Sequence, residues 1–199
     1  MFKIGLTGGI GSGKTTVCKI FEILGIPVYY SDDKAKELMQ NDAVLISTLK
    51  QNFGENIYNK TNILDREALS AIVFKDKSAL EKLNSIVHPV VLKNFDSWYL
   101  EKKSDYVILE SAILFDTGIN KLLDKIICVY APIELRIMRI NKRDGIPPAK
   151  AMERIKNQLH DYNILQLSDF VIINNEQESV INQVFSCHHD IISDYKSIR

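Results

Sequence analysis

The chain has 199 residues, of which 46% are hydrophobic, and its 25 Lys+Arg balance its 25 Asp+Glu, so the formal charge is zero. This composition is typical of a globular protein with a buried core and argues against intrinsic disorder. Zero charge also argues against a protein whose main task is to coat nucleic acid. The length predicts one domain over residues 1–199, with room for an inserted lobe.

The cysteines and the apolar segments indicate a compartment. Cys18, Cys128 and Cys187 lie far apart and have no C-x-x-C spacing, so they do not form a zinc or dithiol motif. The longest apolar segments are shorter than the roughly 18 residues that span a bilayer, and the first residues lack the pattern of a signal peptide. We therefore expect a reducing, cytoplasmic location and no membrane partner.

The first elements in chain order are a strand, a loop and a helix. Residues 2–6 are an apolar run that meets a glycine cluster, and apolar residues recur at helical spacing over residues 15–24. Residues 25–27 end that helix, because they contain Gly and Pro. Residues 28–30 then predict a second short strand, which ends at Ser31, Asp32 and Asp33.

The rest of the chain alternates between helical and strand patterns. Residues 42–103 have mostly helical periods, which predicts a helical lobe within the domain. Three later apolar runs are typical of strands buried on both faces, and they cover residues 106–109, 126–130 and 170–173. The alternation predicts an α/β fold with a five-stranded parallel sheet flanked by helices.

The glycine cluster carries the most specific motif. Residues 8–15 fit G-x-x-x-x-G-K-[ST] between a predicted strand and helix, which predicts a P-loop NTPase fold. Backbone N–H groups of such a loop bind phosphate oxygens, Lys14 reaches the β- and γ-phosphates, and the Thr15 hydroxyl ligates Mg²⁺. The predicted ATP-binding residues here are Gly9, Ile10, Gly11, Ser12, Gly13, Lys14, Thr15 and Thr16.

A GTP-binding switch protein is one alternative for this loop. Residues 141–144 spell N-K-x-D, the pattern that recognises guanine. In GTPases this pattern directly follows a strand, whereas helix-patterned residues separate it here from the strand at 126–130. The chain also lacks D-x-x-G, with which GTPases sense the γ-phosphate, so the sequence disfavours this alternative.

A small-molecule kinase fits the remaining residues better. Such an enzyme needs a carboxylate beside the acceptor hydroxyl, and Asp32 and Asp33 follow the second predicted strand. The carboxyl ends of parallel strands form the ligand crevice, so we expect Asp32 to act as catalytic base. These residues could instead only cap the next helix, and the sequence does not decide which aspartate is nearer the acceptor.

Residues 132–161 form a basic helical region that is interrupted by Gly and Pro at 145–148. Arg139 and Arg143 lie one helical turn apart, which suits a lid that closes two arginines over phosphates and excludes water. Alternatively, these basic residues could lie on a solvated helix face, where charged residues of helices are usually found. We predict that this region is a lid, that both arginines are catalytic together with Lys14, and that Arg143 also binds ATP.

Taken together, the sequence resembles the dephospho-coenzyme A kinase family over nearly its whole length. The shared motifs begin with Leu6–Val17 around the loop and continue at residues 30–35, 64–69, 86–89, 112–116, 139–144, 154–158 and 168–174. Three positions depart from the family pattern. Tyr30 replaces an acid, Ala112 replaces a proline, and Asp116 replaces a glutamate.

The resemblance implies the transfer of the ATP γ-phosphoryl group to the ribose 3′-hydroxyl of dephospho-coenzyme A. It places Asn174 near the adenine and makes the lobe at 42–103 the acceptor site. It also implies that Asp32 contacts both the acceptor and Mg²⁺, and that Thr7, Arg66 and His88 contact the acceptor.

Several of these assignments have alternatives. Taken singly, Asp65 and Arg66 could be a helix cap and a surface charge, and Pro89 could begin a helix. A kinase of nucleoside monophosphates or of another small hydroxyl acceptor is the alternative. The roles of Asp33, Glu110 and Asp116 stay open.

Overall fold

The computed structural model describes residues 1–73, 75–156, 158 and 161–197. It divides into two compact units. The first, which we call the sheet unit, comprises Met1–Tyr30 and Lys102–Arg199. The second, which we call the helical unit, comprises Ser31–Glu101. The helical unit begins at Ser31 and contains most of the lobe predicted at residues 42–103, whose role in acceptor binding stays a prediction.

The sheet unit is built on five parallel strands in the order β2-β3-β1-β4-β5. The strands are β1 (Phe2–Thr7), β2 (Val28–Tyr30), β3 (Tyr106–Glu110), β4 (Lys125–Tyr130) and β5 (Phe170–Ile173). This confirms the predicted sheet. The central strand β1 has β3 on one side and β4 on the other, so the strand order reverses there. Ligands of open α/β sheets bind at such a reversal, beyond the carboxyl ends of the strands.

The helices complete both units. They are α1 (Lys14–Ile23), α2 (Ser31–Asn41), α3 (Ala43–Phe53), α4 (Arg66–Val73), α5 (Lys77–Leu100), α6 (Ile133–Asp144), α7 (Pro148–Lys156), α8 (Asp161–Gln166) and α9 (Val180–Ser197). Short 3₁₀ turns lie at Glu55–Ile57 and Ile119–Leu122. None of the described helices is long and apolar enough to cross a membrane.

Apolar burial holds the sheet unit together. All five residues of β3 are buried, as expected for a parallel strand with both faces covered. The helices α1 and α9 place Phe21 and Ile191 in one core cluster with Ile4 of β1 and Ile127 of β4. Burial of this apolar surface fixes β1 and α1, and thereby the two ends of the glycine loop between them.

The helical unit begins its helices with carboxylate caps. Asp42 accepts a hydrogen bond from the backbone N–H of Leu45 at the start of α3. Asp65 accepts one from Ala68 at the start of α4, so its capping interpretation holds. Pro89 lies inside α5, so the alternative that it begins a helix is wrong. That alternative failed because neighbouring apolar residues continue the helical period on both sides of the proline.

The predicted lid region contains two helices of the sheet unit. Helix α6 ends at Gly145, whose φ of 67° is left-handed, and α7 begins at Pro148. The turn therefore falls where Gly and Pro interrupt the helical pattern. Part of the region at 157 and 159–160 lies outside the described residues.

Candidate active site

The glycine loop joins β1 to α1 at the carboxyl edge of the sheet. Gly13 precedes α1 with a φ of 100°, and no side chain caps the first backbone N–H groups of this helix. Those N–H groups and the positive end of the helix dipole favour an anion. Lys14, Thr15 and Thr16 occupy the first turn, with both threonines exposed. The loop therefore has the architecture that the motif predicts.

Lys14 lies between the loop and an acidic side chain that sequence analysis gave no role. Its Nζ donates a hydrogen bond to the carbonyl oxygen of Gly8 at 2.9 Å and lies 4.0 Å from Oε1 of Glu110. Glu110 is the last residue of β3 and is only 8% exposed. Burial, and next the negative charge of Glu110, raise the pKa of the Cys18 thiol, which therefore stays protonated. The sequence signal that could have singled out Glu110 was its position directly after the predicted buried strand at residues 106–109.

Two buried hydroxyl groups of the sheet unit lack a hydrogen-bond partner among the described residues. They are Oγ1 of Thr7, at the end of β1, and Oγ of Ser12, within the loop. Each residue is 1% exposed. Buried polar atoms are nearly always satisfied, so such atoms in one loop are typical of a site completed by a ligand or water. Phosphate oxygens supply the acceptors that a Ser12 hydroxyl needs.

Asn174 and Arg139 pack against the loop from other elements. The side-chain amide of Asn174 donates to the carbonyl oxygen of Ser12 at 2.8 Å. Arg139 of α6 donates to the side-chain oxygen of Asn174 at 3.2 Å and forms an ion pair with Glu176 at 3.1 Å. The structure thus brings Asn174, which was predicted to bind ATP, and Arg139, which was predicted to be catalytic, next to the phosphate loop.

Arg143 lies one turn beyond Arg139 and pairs with its neighbour in sequence. Its Nε and Nη2 atoms donate to the two carboxylate oxygens of Asp144 at 2.7 and 3.0 Å. The hydrogen bond with Asp144 raises the pKa of Arg143, and the same bond lowers the pKa of Asp144. Arg154 of α7 donates to this carboxylate at 2.8 Å, so Asp144 links the two helices.

A cavity of about 170 Å³ connects these features within the sheet unit. Its lining combines phosphate-loop residues with α6, namely Gly11, Gly13, Lys14, Thr15, Arg139, Ile140 and Arg143. Three cationic side chains therefore meet the positive end of α1 at one cavity. This arrangement can bind a polyanion such as a triphosphate.

The N-K-x-D pattern has a structural explanation that differs from guanine recognition. Asn141 lies in the last turn of α6, and its side-chain amide donates to the carbonyl oxygen of Ile146 at 2.7 Å. Asp144 binds the two arginines just described. Both residues stabilise the turn between α6 and α7, so the match to a GTPase motif is coincidental.

The predicted catalytic acid begins the helical unit. Tyr30 is the last residue of β2 and is in register with Glu110 of β3, at the same sheet edge as the glycine loop. Asp32 then lies in the first turn of α2. Asp33 beside it forms an ion pair with Lys36 at 2.7 Å.

The predicted acceptor residues in the helical unit have different environments. His88 of α5 is half-buried, and burial lowers its pKa even though the charge of Asp32 acts in the opposite direction. The structure therefore brings His88 and Asp32 near each other. Arg66 is exposed at the start of α4. Thr7 belongs to the sheet unit, as described above, and Asp116 is exposed in the segment after β3.

Comparisons with known proteins agree with this site. Residues 2–179 match the family described as CoaE, dephospho-CoA kinase. The dephospho-CoA kinase of Bacteroides fragilis is 37% identical over 183 residues, which are 92% of this chain and 89% of that protein. The enzyme of the same name from Fusobacterium nucleatum is 43% identical over 176 residues, which are 86% and 89% of the two chains.

A solved structure extends the similarity to three dimensions. The crystal structure of a protein from Thermus thermophilus matches with a TM-score of 0.83 at 28% sequence identity, and the match covers 97% of both chains. The phosphate loop, the sheet order and the sequence similarity lead to one conclusion. This chain belongs to the dephospho-CoA kinase family.

Proposed function

We propose that this protein transfers the γ-phosphoryl group of ATP to the ribose 3′-hydroxyl of dephospho-coenzyme A, giving coenzyme A and ADP. One observation carries the proposal. The chain belongs to the dephospho-CoA kinase family, and its glycine loop leads into α1 at Lys14, which lies beside the buried Glu110. The two substrates are small molecules. All three cysteines are buried thiols and form no disulfide among the described residues, which suits a cytoplasmic enzyme, and we expect the protein to act in the cytoplasm.

The loop binds the triphosphate through groups that the fold has already oriented. Backbone N–H groups at the start of α1 and the Ser12 hydroxyl donate to phosphate oxygens. Lys14 exchanges its bond with the Gly8 carbonyl for a stronger, charge-assisted bond to a β- or γ-phosphate oxygen. Asn174 donates to the carbonyl oxygen of Ser12 and therefore lies beside the loop, which supports a position near the adenine.

The donor set at the loop suits Mg²⁺. Mg²⁺ prefers oxygen ligands and is commonly bound through one or two protein groups together with substrate phosphates. The Thr15 hydroxyl and the Glu110 carboxylate supply such oxygens in the sheet unit, and Asp32 is a further candidate in the helical unit. Substrate phosphates and water would complete the coordination of the ion. When bound, the ion neutralises charge on the β- and γ-phosphates.

Asp32 is the proposed catalytic base. Its carboxylate accepts the proton of the ribose 3′-hydroxyl while the oxygen attacks the γ-phosphorus, and the bond to the β-phosphate oxygen breaks to release ADP. Support comes from its place two residues beyond the end of β2, where the chain leaves the carboxyl edge of the sheet. Positioning and preorganised charge supply most of the acceleration, because no covalent enzyme intermediate is required.

Arg139 and Arg143 are proposed to stabilise the charge on the transferring group. Both line the same cavity as Lys14. Arg143 is held by Asp144, so binding to phosphate requires it to exchange one anionic partner for another. The region 132–161 would act as a lid that excludes water during this step.

The helical unit is proposed to bind the acceptor, with the lobe at 42–103 forming most of that surface. His88 and Arg66 supply polar groups for it, and Thr7 supplies a hydroxyl from the end of β1. A largely neutral His88, which its lowered pKa favours, donates or accepts hydrogen bonds rather than acting as a fixed cation.

An acceptor panel tests this function. The protein is incubated with ATP and Mg²⁺ together with dephospho-coenzyme A, a nucleoside monophosphate or no acceptor, and ADP and coenzyme A are quantified by chromatography. We expect ADP to form in equal amount with coenzyme A, and only with dephospho-coenzyme A. Phosphorylation of the nucleoside monophosphate alone, or GTP hydrolysis that needs no acceptor, would overturn the proposal.

A further inference from the structure

A buried arginine of α6 contacts the glycine loop. Arg136 of α6 is 1% exposed, although charged side chains are rarely buried to this extent. Its Nε donates a hydrogen bond to the carbonyl oxygen of Ile10 at 2.9 Å. Burial of a guanidinium is costly unless its N–H groups are used, so this placement indicates a specific role for the side chain.

The same guanidinium explains a glycine that the P-loop pattern does not require. Gly9 occupies a variable position of G-x-x-x-x-G-K and does not have a positive φ. A Cβ built at Gly9 would collide with the guanidinium carbon and both terminal nitrogens of Arg136. Gly9 is therefore needed to make room for this side chain and not to allow an unusual backbone conformation.

The opposite polar group of the same residue is also held. The backbone N–H of Ile10 donates to Oε1 of Gln158, which follows α7, at 2.7 Å. Arg136 and Gln158 thus bind the C=O and the N–H of Ile10, and neither group is free to bind phosphate. Ile10 is also a predicted ATP-binding residue, and this geometry gives its backbone two anchoring contacts.

Arg139 provides a useful contrast on the same helix. Its contacts to the carbonyl oxygens of Gly11 and Ser12 are long, at 3.4 and 3.5 Å, and it also pairs with Glu176. The bond from Arg136 to Ile10 is shorter, at 2.9 Å, and comes from a side chain that is buried. Hence Arg136 is the α6 side chain best placed to fix the loop.

We propose that Arg136 is a positioning residue that, with Gln158, holds the glycine loop in its phosphate-binding conformation, and that Gly9 is required because of Arg136. The inference rests on the proposed role of the loop in binding ATP phosphates. Arg136 itself does not touch substrate. It acts through the Ile10 peptide, which fixes the direction of the N–H groups that follow.

Side-chain length allows a sharp test. In Arg136→Gln, the amide nitrogen can take the place of Nε and keep the bond to Ile10, while the atoms that face Gly9 are removed. In Arg136→Met, the apolar stem remains but the donor is lost. We expect Arg136→Met to raise the KM for ATP about tenfold, as for one lost charged hydrogen bond, and Arg136→Gln to rescue most of this effect.

A double variant tests the pairing with Gly9. Gly9→Ala alone should weaken ATP binding at least about tenfold, and Gly9→Ala combined with Arg136→Gln should restore most of it. Gly11→Ala is the matched control. Gly11 has a φ of 81° and faces the backbone of Arg136, so Arg136→Gln should not rescue this change.

The measurements are the dissociation constant of ATP by calorimetry, the KM for each substrate, and Tm without nucleotide. A double variant that binds ATP no better than Gly9→Ala would overturn the pairing. A KM for dephospho-coenzyme A that rises as much as that for ATP in Arg136→Met would overturn the positioning role. If the wild type binds ATP but does not phosphorylate dephospho-coenzyme A, the proposed function fails while the comparison of ATP binding still decides this inference.

Discussion

The sheet unit and the helical unit hold their candidate residues in different ways. In the sheet unit, Lys14, Arg139 and Asn174 are each hydrogen-bonded to the glycine loop or to one another. In the helical unit, Arg66 is exposed, and Asp33 forms only a surface ion pair. We expect the ATP half of the reaction to be preorganised by the protein, and the acceptor half to depend more on its substrate. The following variants test this difference.

Lys14→Ala should have the largest effect. Loss of the cation that binds Gly8 within the loop removes stabilisation of the transferring phosphoryl group, so kcat/KM should fall about 10³-fold or more. Steady-state kinetics with varied ATP measure this effect. Lys19→Ala, an exposed change on the same helix, is the control. Comparable losses in both variants would show that α1 is merely sensitive to charge.

Asp32→Asn should affect turnover but not ATP binding. Without a general base we expect kcat to fall roughly 10²-fold or more, with little change in the dissociation constant of ATP. The matched control is Asp33→Asn, because Asp33 is adjacent but engaged by Lys36. If Asp33→Asn instead abolishes turnover, the base is Asp33. The helical unit then still supplies the catalytic base, and the sheet unit still binds ATP.

Glu110→Gln tests a residue of the sheet unit that only the structure singled out. Neutralising a carboxylate near Lys14 should weaken Mg²⁺ activation, so we expect the Mg²⁺ concentration for half-maximal rate to rise by about tenfold. The rate is measured across a Mg²⁺ titration at saturating ATP. An unchanged titration curve would remove Glu110 from the metal site and leave it as a structural partner of Lys14.

Arg143→Ala should lower kcat about tenfold, with less effect on the KM for dephospho-coenzyme A, because it removes charge next to the transferring group. Arg154→Ala is the matched control, since both arginines bind Asp144 but Arg154 does not line the loop cavity. An effect confined to the KM for dephospho-coenzyme A would assign Arg143 to acceptor binding.

The smallest effect concerns one histidine in each unit. The pKa values of His88 and His188 are lowered from 6.5, chiefly by burial. Each histidine therefore binds more protons in the unfolded chain, so stability is full above pH 6.5 and falls as the pH drops below it. When the pH is lowered from 7.5 to 5.5, the Tm of His88→Gln and of His188→Gln should each decrease by roughly 1–2 °C less than the Tm of the wild type. Equal curves for wild type and both variants would contradict the lowered pKa values.

Some parts of the structure could be predicted from the sequence and others could not, and the difference has physical reasons. The five strands were predictable because continuous apolar runs indicate burial on both faces, and the glycine loop because its residue types are set by phosphate chemistry. Pro89 was harder to interpret, because a proline can either begin a helix or lie within one, and only the packing of its neighbours decides.

The sequence by itself determined the class of the fold, the phosphate-binding loop and the acid-bearing strand end, because each is encoded in neighbouring residues. Only the tertiary structure revealed the buried Arg136 over Gly9, the bond from Ile10 to Gln158 and the approach of Glu110 to Lys14. These pairs lie far apart in the chain, and a local pattern has no means of encoding which distant side chain fills the space that a glycine leaves open.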